Sequence, residues 1–344
     1  MQQEQSETII VGAGLAGVSM AWDFYFNNIP FTLIDGNDRS TAKAAAGLMN
    51  PVVFRRLNQS WRATEFMPVA FAFYQTIEKS LNKRVLHPTK FSRILSNTGE
   101  VNDWMLKTDE FPDFFGEISK EEINGVIAPA GFAHVKSAAY LDLLTFIEES
   151  LNYFKSKGIK VQKELFDYDS ISVEKSYVFC EGRGLHQNPF FNYLPLNGTH
   201  GETLFIKTDA LNLDEVLNKN LFILPLGNNT YRIGATYNWK EKETVTTETG
   251  KAELLEKLQE FTDFEFEIID QRAGIRPTVI DRRPLLGQHP IHKNLYVFNG
   301  LGTKGVMLAP FYVQQFTNYF KHGNELENMV NINRFLKHFR EQID

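Results

Sequence analysis

Three stretches of the chain combine residue types that do chemistry only together. The first is Gly12-Ala13-Gly14-Leu15-Ala16-Gly17, directly after the β-branched run Thr8-Ile9-Ile10-Val11 and opening the apolar helical segment Val18–Tyr25. Gly12 permits a tight turn, Gly14 lets a pyrophosphate approach the backbone, and Gly17 lets helix and strand pack closely. The unpaired N–H groups of the helix start then attract phosphate. Asp35 follows a second apolar run, Phe31–Ile34, where a carboxylate accepts hydrogen bonds from ribose hydroxyls and repels a 2′-phosphate, which disfavours NADP. The second stretch is Gly274-Ile275-Arg276-Pro277. A guanidinium makes two parallel bonds to a carboxylate and so fixes both position and angle, although a structural salt bridge is the alternative. The third is Asn299–Gly305, a glycine-rich loop feeding a helix N-terminus, which stabilises negative charge developing on an electron-accepting ring.

The elements that must position these residues start with a βαβ unit: Pro30 stops the first helix and Phe31–Ile34 is the second strand. The segment Ser40–Pro51 is rich in small residues that let backbone pass close to a flat ring, which favours a flavin over a nicotinamide. An ordinary alanine-rich helix start is the alternative, made poorer by Gly47 and Pro51. Residues 64–80 and 139–157 have helical spacing, and Gly158 ends the second helix before a strand at Ile159–Val161. A strand at Tyr177–Cys180 runs into Glu181-Gly182-Arg183-Gly184. Short strands at 202–208, 220–226 and 231–236, broken by Gly227-Asn228-Asn229, predict an antiparallel sheet. A helix at 251–261, a strand at 294–298 and a helix from Gly305 to His322 complete the pattern. The expected fold class is α/β: a Rossmann-like nucleotide domain (1–80, 138–195 and 270–344) and an α+β substrate domain with an antiparallel sheet (81–137 and 196–269).

Composition narrows the functions. The 344 residues suit roughly two domains, and 43% apolar content is globular. The lone Cys180 excludes an intramolecular disulfide and cysteine-based zinc sites. The polar, acidic opening Met1–Glu7 lacks the pattern of a secretory signal, and no apolar run reaches about 18 residues, so a cytoplasmic protein without a membrane span is expected. The net charge of −6 argues against wholesale nucleic-acid binding. It is unevenly spread: residues 55–93 carry eight basic against two acidic side chains, and residues 100–122 carry eight acidic against two basic. Two solvated faces that attract each other are the plainer explanation; a phosphate contact surface is the other. His289 and His292 lie three apart with no partner that suggests a metal, and there is no GxSxG, HExxH or P-loop.

Taken in order, these motifs make nearly the whole chain resemble the FAD-dependent D-amino-acid oxidase and glycine oxidase family. GAGLAG with Asp35 resembles its ADP-binding fingerprint, and Ala44-Ala45-Ala46-Gly47 is similar to the segment that passes the flavin. Gly182 resembles the family's glycine after the third nucleotide strand, although Cys180-Glu181 replaces the usual Ala-Thr. Leu194–Glu202 and Ile233–Thr236 fit its substrate-domain strands, and the Gly-Ile-Arg276-Pro match is the most specific. The resemblance implies FAD held non-covalently, since no His or Cys lies in the segments expected at the ring. It assigns to the cofactor residues 12–17, Asp35 with Gly36, Thr41 and Ala45 to Leu48. It adds Val161, Gly182 and the loop Gly300, Leu301, Gly302, Thr303, Lys304, Gly305 and Val306. It implies that Arg276 holds a substrate carboxylate, with Tyr237, Asn50, Thr303 and Lys304 beside it. The implied reaction moves a hydride from the carbon next to a neutral amine to flavin N5, and water hydrolyses the resulting imine. Glycine oxidase has a second arginine where Thr303 stands here.

The sequences 301–305 and 276–287 also resemble the C-terminal oxidase domain of bifunctional tRNA wobble-uridine modification enzymes. That domain removes a carboxymethyl group from an amine on RNA, and residues 55–93 would then contact phosphates. A flavin subunit that passes electrons to a partner protein is a third class. Arg232 aligns loosely with a lysine that assists oxygen reduction in some sarcosine oxidases. Heat-released cofactor from the purified protein is expected to co-chromatograph with FAD; FMN, or NAD alone, would reject the flavin assignment.

Overall fold

The computed structural model describes residues 7–36 and 40–343; the polar opening Met1–Ser6 lies outside them. A six-stranded sheet runs in the order Val161–Gln162, Phe31–Ile34, Thr8–Val11, Ser176–Phe179, Leu295–Asn299, Leu285–Gln288. The first five are parallel neighbours and the last is antiparallel. Thr8–Val11 and Phe31–Ile34 are buried at every position, as befits parallel strands covered on both faces. The helix Leu15–Phe26 is buried over most of its circumference. It packs against the helices Leu143–Ser156 and Gly305–His322. Trp22 Nε1 donates to Ser150 Oγ at 2.7 Å, so the indole N–H inside this core is satisfied.

The second layer is an eight-stranded sheet in the order Glu267–Val279, Leu196–Lys207, Thr230–Gly234, Phe222–Gly227, Val216–Asn218, Phe91–Ile94, Phe132–Val135, Phe115–Ser119. Its neighbours are antiparallel except for Val216–Asn218 beside Phe91–Ile94. Strand alternation divides its residues between two faces. Leu204, Ile206, Ile223 and Ile233 pack with Leu254, Leu258 and Phe261, so the helix Glu248–Gln259 covers one face. Thr199, Gly201, Thr203 and Phe205 alternate to the other face, and their register partners Arg276, Gly274, Arg272 and Arg232 lie on it too.

The structure moves one expected helix start. Residues 139–141 are a strand paired with Leu86–Pro88 and Leu48–Met49, not the start of a helix. Asp142 accepts from Thr145 N at 3.1 Å and from its Oγ1 at 2.7 Å, and this cap starts the helix at Leu143. The border expected at residue 270 falls inside the strand Glu267–Val279, which is the edge strand of the eight-stranded sheet. Among the described residues, no helix is long and apolar enough to cross a membrane.

Sheet and covering helix are joined by the buried Glu202. Its carboxylate accepts from Thr247 N at 2.9 Å, Thr247 Oγ1 at 2.7 Å and Gln271 Nε2 at 2.6 Å, at the N-cap of the helix Glu248–Gln259. Removing it strands these donors in a dry place. Glu202→Ala should therefore lower the free energy of unfolding by about 2–4 kcal/mol. Urea titration followed by circular dichroism checks this, and a loss below about 0.5 kcal/mol would show that water replaces the carboxylate freely.

Candidate functional site

At the carboxyl end of the six-stranded sheet, Gly12 has φ +100° and its N–H donates to Ile34 O at 2.9 Å. A Cβ on Gly17 would lie 1.7 Å from Gly12 O, so the helix can sit this close to the turn only with glycine there. Around Gly14 the space is open: a Cβ would meet nothing within 4 Å. Gly14 caps the helix Leu15–Phe26 without a side-chain hydrogen bond, and the first turn carries no acid. Ala13, Leu15 and Ala16 line the same turn, and Asp35 and Gly36 follow the neighbouring strand. Asp35 is buried, and its N–H donates to Gln162 O at 2.7 Å, next to Val161.

A second helix end meets the first. A Cβ on Gly305, which opens Gly305–His322, would lie 3.0 Å from Leu15 Cδ2. That helix also lacks a side-chain cap, and Tyr74 Oη holds its first turn by donating to Val306 O at 2.9 Å. Asn299 ties the loops together: its Nδ2 donates to Gly182 O at 3.0 Å and its Oδ1 accepts from Gly300 N at 2.7 Å. Leu301 bridges to Thr278, and Gly302–Lys304 forms one 3-10 turn with Thr303 exposed.

The short helix Ser40–Ala44 lies against Glu267–Val279, with Thr41 Oγ1 donating to Ile275 O at 3.0 Å. Arg232 closes the end of this helix from the eight-stranded sheet. It donates to Lys43 O at 2.6 Å and Ala45 O at 2.8 Å and, more weakly, to Thr203 Oγ1 at 3.3 Å, with its guanidinium over the Phe205 ring. Burial, with Arg272 nearby, lowers its pKa to about 9. Its donors are spent on backbone carbonyls, a function invisible in sequence because the partners lie 187 and 189 residues away. Past Ala46, Gly47 O accepts from Leu141 N at 3.0 Å, and Leu48 pairs with Tyr140. Asn50 turns inward: its side chain accepts from Val52 N at 2.8 Å, and its carbonyl accepts from Lys304 Nζ at 2.8 Å. Desolvation lowers Lys304 to about 8.

Arg276 reaches across Gly201, where a Cβ would lie 2.2 Å from its terminal nitrogens. Sequence reading passed over that glycine; a small residue opposite the arginine is the signal it left. The guanidinium lies 4.3 Å from the Tyr237 ring and makes two long bonds, to His200 O and Thr236 O, both 3.3 Å. No carboxylate pairs with it among the described residues, and burial lowers its pKa.

The other flagged groups have ordinary roles. His289 is packed among Phe191, Tyr193 and Phe339, its Nδ1 accepts from His292 N at 3.0 Å, and burial lowers it to about 4. No cluster of three or more metal-ligating side chains occurs among the described residues. Between the basic and acidic stretches, only Arg93–Glu100, at 3.7 Å, forms an ion pair among the described residues. Arg62 pairs with Glu65 and Glu327, while Arg55 and Arg56 are exposed.

The model of the DAO family, FAD dependent oxidoreductase, matches residues 7–314. The chain belongs to this family. Glycine oxidase from Geobacillus kaustophilus superposes with a TM-score of 0.77 at 18% identity, covering 95% of this chain and 97% of that one. Iminodiacetate oxidase from Chelativorans sp. BNC1 gives 0.77 at 17% identity, covering 95% and 98%. The tRNA 5-methylaminomethyl-2-thiouridine biosynthesis bifunctional protein MnmC of Legionella pneumophila (strain Corby) is 21% identical over 90% of this chain and 53% of its own length. The chain thus spans about half the length of the first curated relatives it matches. The protein is an FAD-dependent oxidoreductase, and its residues fit the cofactor: open space at Gly14, two uncapped helix ends side by side, and a buried Asp35 beside them.

Arg232 should act on this DAO-family site through position alone. Arg232→Met is expected to raise the FAD dissociation constant about tenfold, with Arg232→Lys intermediate, because an ammonium cannot span two carbonyls with a planar fork. Fluorescence titration of apoprotein with FAD is the measurement, and a constant within twofold of wild type in both variants would reject the tie.

Proposed function

We propose that this enzyme oxidises the C–N bond of a carboxylate-bearing amine, an amino acid or an N-substituted relative. The observation that carries the reading is Arg276: a desolvated cation on the sheet face shared with Arg232, held by two 3.3 Å bonds and the Tyr237 ring and paired with no carboxylate among the described residues. A substrate carboxylate supplies the missing charge and the bidentate geometry. When bound, FAD would supply the acceptor for the hydride, which carries both electrons lost by the amine. The chain's contribution is orientation: Arg276 fixes the carboxylate, and Arg232 fixes the 41–48 segment against the same sheet. No side-chain base is required once the amine is neutral, because its lone pair drives the hydride away from the adjacent carbon. The imine is then hydrolysed by water to a carbonyl compound and an amine. Attachment of FAD is non-covalent, since neither 41–51 nor 299–306 contains His or Cys.

A second reading, in which the amine is part of a tRNA, draws on one surface. Arg283 lies 3.8 Å over the Trp61 ring, and Arg55, Arg56 and Arg282 are exposed. Such exposed cations suit phosphate contacts. Salt-dependent retention of tRNA by the purified protein separates it from the small-molecule reading.

For the primary reading, Arg276→Met should lower kcat/KM for a carboxylated amine roughly 30-fold to several thousand-fold, equivalent to about 2–5 kcal/mol. The loss should be smaller for the decarboxylated analogue, and FAD content should stay near wild type. Equal losses for both amines, or loss of FAD with activity, would make Arg276 structural.

A further inference from the structure

Beside Arg276 stand two aromatic side chains that the fold leaves uncovered. Tyr237 is 57% exposed and Trp239 49% exposed. Their neighbour Asn238 bridges antiparallel to His200, with His200 N donating to Asn238 O at 2.9 Å and Asn238 N to His200 O at 3.0 Å. This register sets Tyr237 opposite Gly201 and Trp239 opposite Thr199, and Thr199 pairs on its other side with Arg276. Tyr237 and Arg276 share one face of the sheet, the ring 4.3 Å from the guanidinium, and Trp239 opens the turn that follows Asn238 next to them. With adjacent strands about 4.8 Å apart, Trp239 and Arg276 flank Thr199 at roughly 10 Å between Cα atoms.

Hydrogen bonds hold the turn that carries Trp239. Asn238 Oδ1 accepts from Lys240 N at 2.9 Å and Glu241 N at 3.2 Å, and His200 Nε2 donates to Val245 O at 2.9 Å. The other tryptophans are engaged: Trp22 and Trp104 are fully buried, and Trp61 stacks on Tyr312 under Arg283. Trp239 has no ring or hydrogen-bond partner among the described residues. A half-exposed indole beside a cation that pairs with no carboxylate among the described residues gives one end for a carboxylate and one for a flat apolar group.

We propose that Tyr237 and Trp239 form a ring-binding subsite, so that the substrate is a carboxylated amine bearing a planar aromatic group rather than one of glycine size. This rests on the carboxylate reading of Arg276. Arg276 receives the anion, Tyr237 lies under the guanidinium, and Trp239 stacks on the ring. A stacked ring that leaves water here strengthens binding about tenfold.

Calorimetric titration of the FAD-loaded enzyme with acetate and with phenylacetate tests it, since neither anion carries an amine and neither is oxidised. Wild type should bind phenylacetate at least tenfold more tightly than acetate. Trp239→Ala should remove most of that advantage without changing acetate affinity, Trp239→Phe should retain it within about threefold, and Arg276→Met should weaken both anions. Equal affinity of wild type for the two probes, or an unchanged ratio in Trp239→Ala, overturns the subsite. If Arg276→Met leaves both anions bound while Trp239→Ala still abolishes the phenylacetate advantage, the ring subsite stands and the carboxylate reading falls.

Discussion

One guanidinium joins the two halves of this molecule where the chemistry must occur. Arg232 leaves the eight-stranded sheet and closes the carbonyl end of the helix Ser40–Ala44, whose continuation Ala45–Leu48 runs along the proposed ring site. The same sheet carries Arg276, so the separation between a substrate anchored on Arg276 and a ring lying on 45–48 is set by this contact. Its strength comes from burial: the carbonyls at a helix C-terminus carry partial negative charge, and in a dry site the attraction to a guanidinium is little screened. Thr41 on Ile275 O and Leu141 on Gly47 O hold the same segment from its other sides.

The nucleotide half solves a different problem, how to hold many negative charges with few cations. Two helix amino ends abut where a Cβ on Gly305 would touch Leu15, and neither end carries a side-chain cap. Capping groups would satisfy the free N–H groups and remove the potential that attracts phosphate. The absence of Ser, Thr, Asp or Asn caps at these two ends contrasts with Asn97, Asp142 and Thr247, which cap helices elsewhere.

How much of this was legible in the sequence follows from the range of each interaction. The strand, glycine turn and helix at residues 8–26 are local, and period and glycine spacing reveal them directly. The helix Gly305–His322 has the bounds expected, because Gly305 opens it and Gly323, at φ +71°, closes it. Residues 139–141 read as helix because their strand pairing is with Leu86–Pro88 and Leu48–Met49, partners more than 50 residues upstream. Arg232 on Lys43, Lys304 on Asn50 and Gly201 beneath Arg276 are likewise tertiary, and no spacing rule announces them. Trp239 carries no spacing signal either, because its exposure depends on a turn set by Asn238 and His200, 38 residues apart in sequence.

Three of these contacts set a cation on backbone carbonyls. Arg232, Arg276 and Lys304 are all shifted downward by desolvation, and none has a carboxylate hydrogen-bond partner among the described residues. Backbone carbonyls offset part of that cost, because they accept hydrogen bonds yet bring no full negative charge. An anion that entered the proposed site would therefore meet donors already aimed and already largely stripped of water. By linkage, anything that binds the folded form alone also stabilises it. An anion bound beside Arg232, Arg276 or Lys304 would thus stabilise the fold by offsetting the desolvation of that cation.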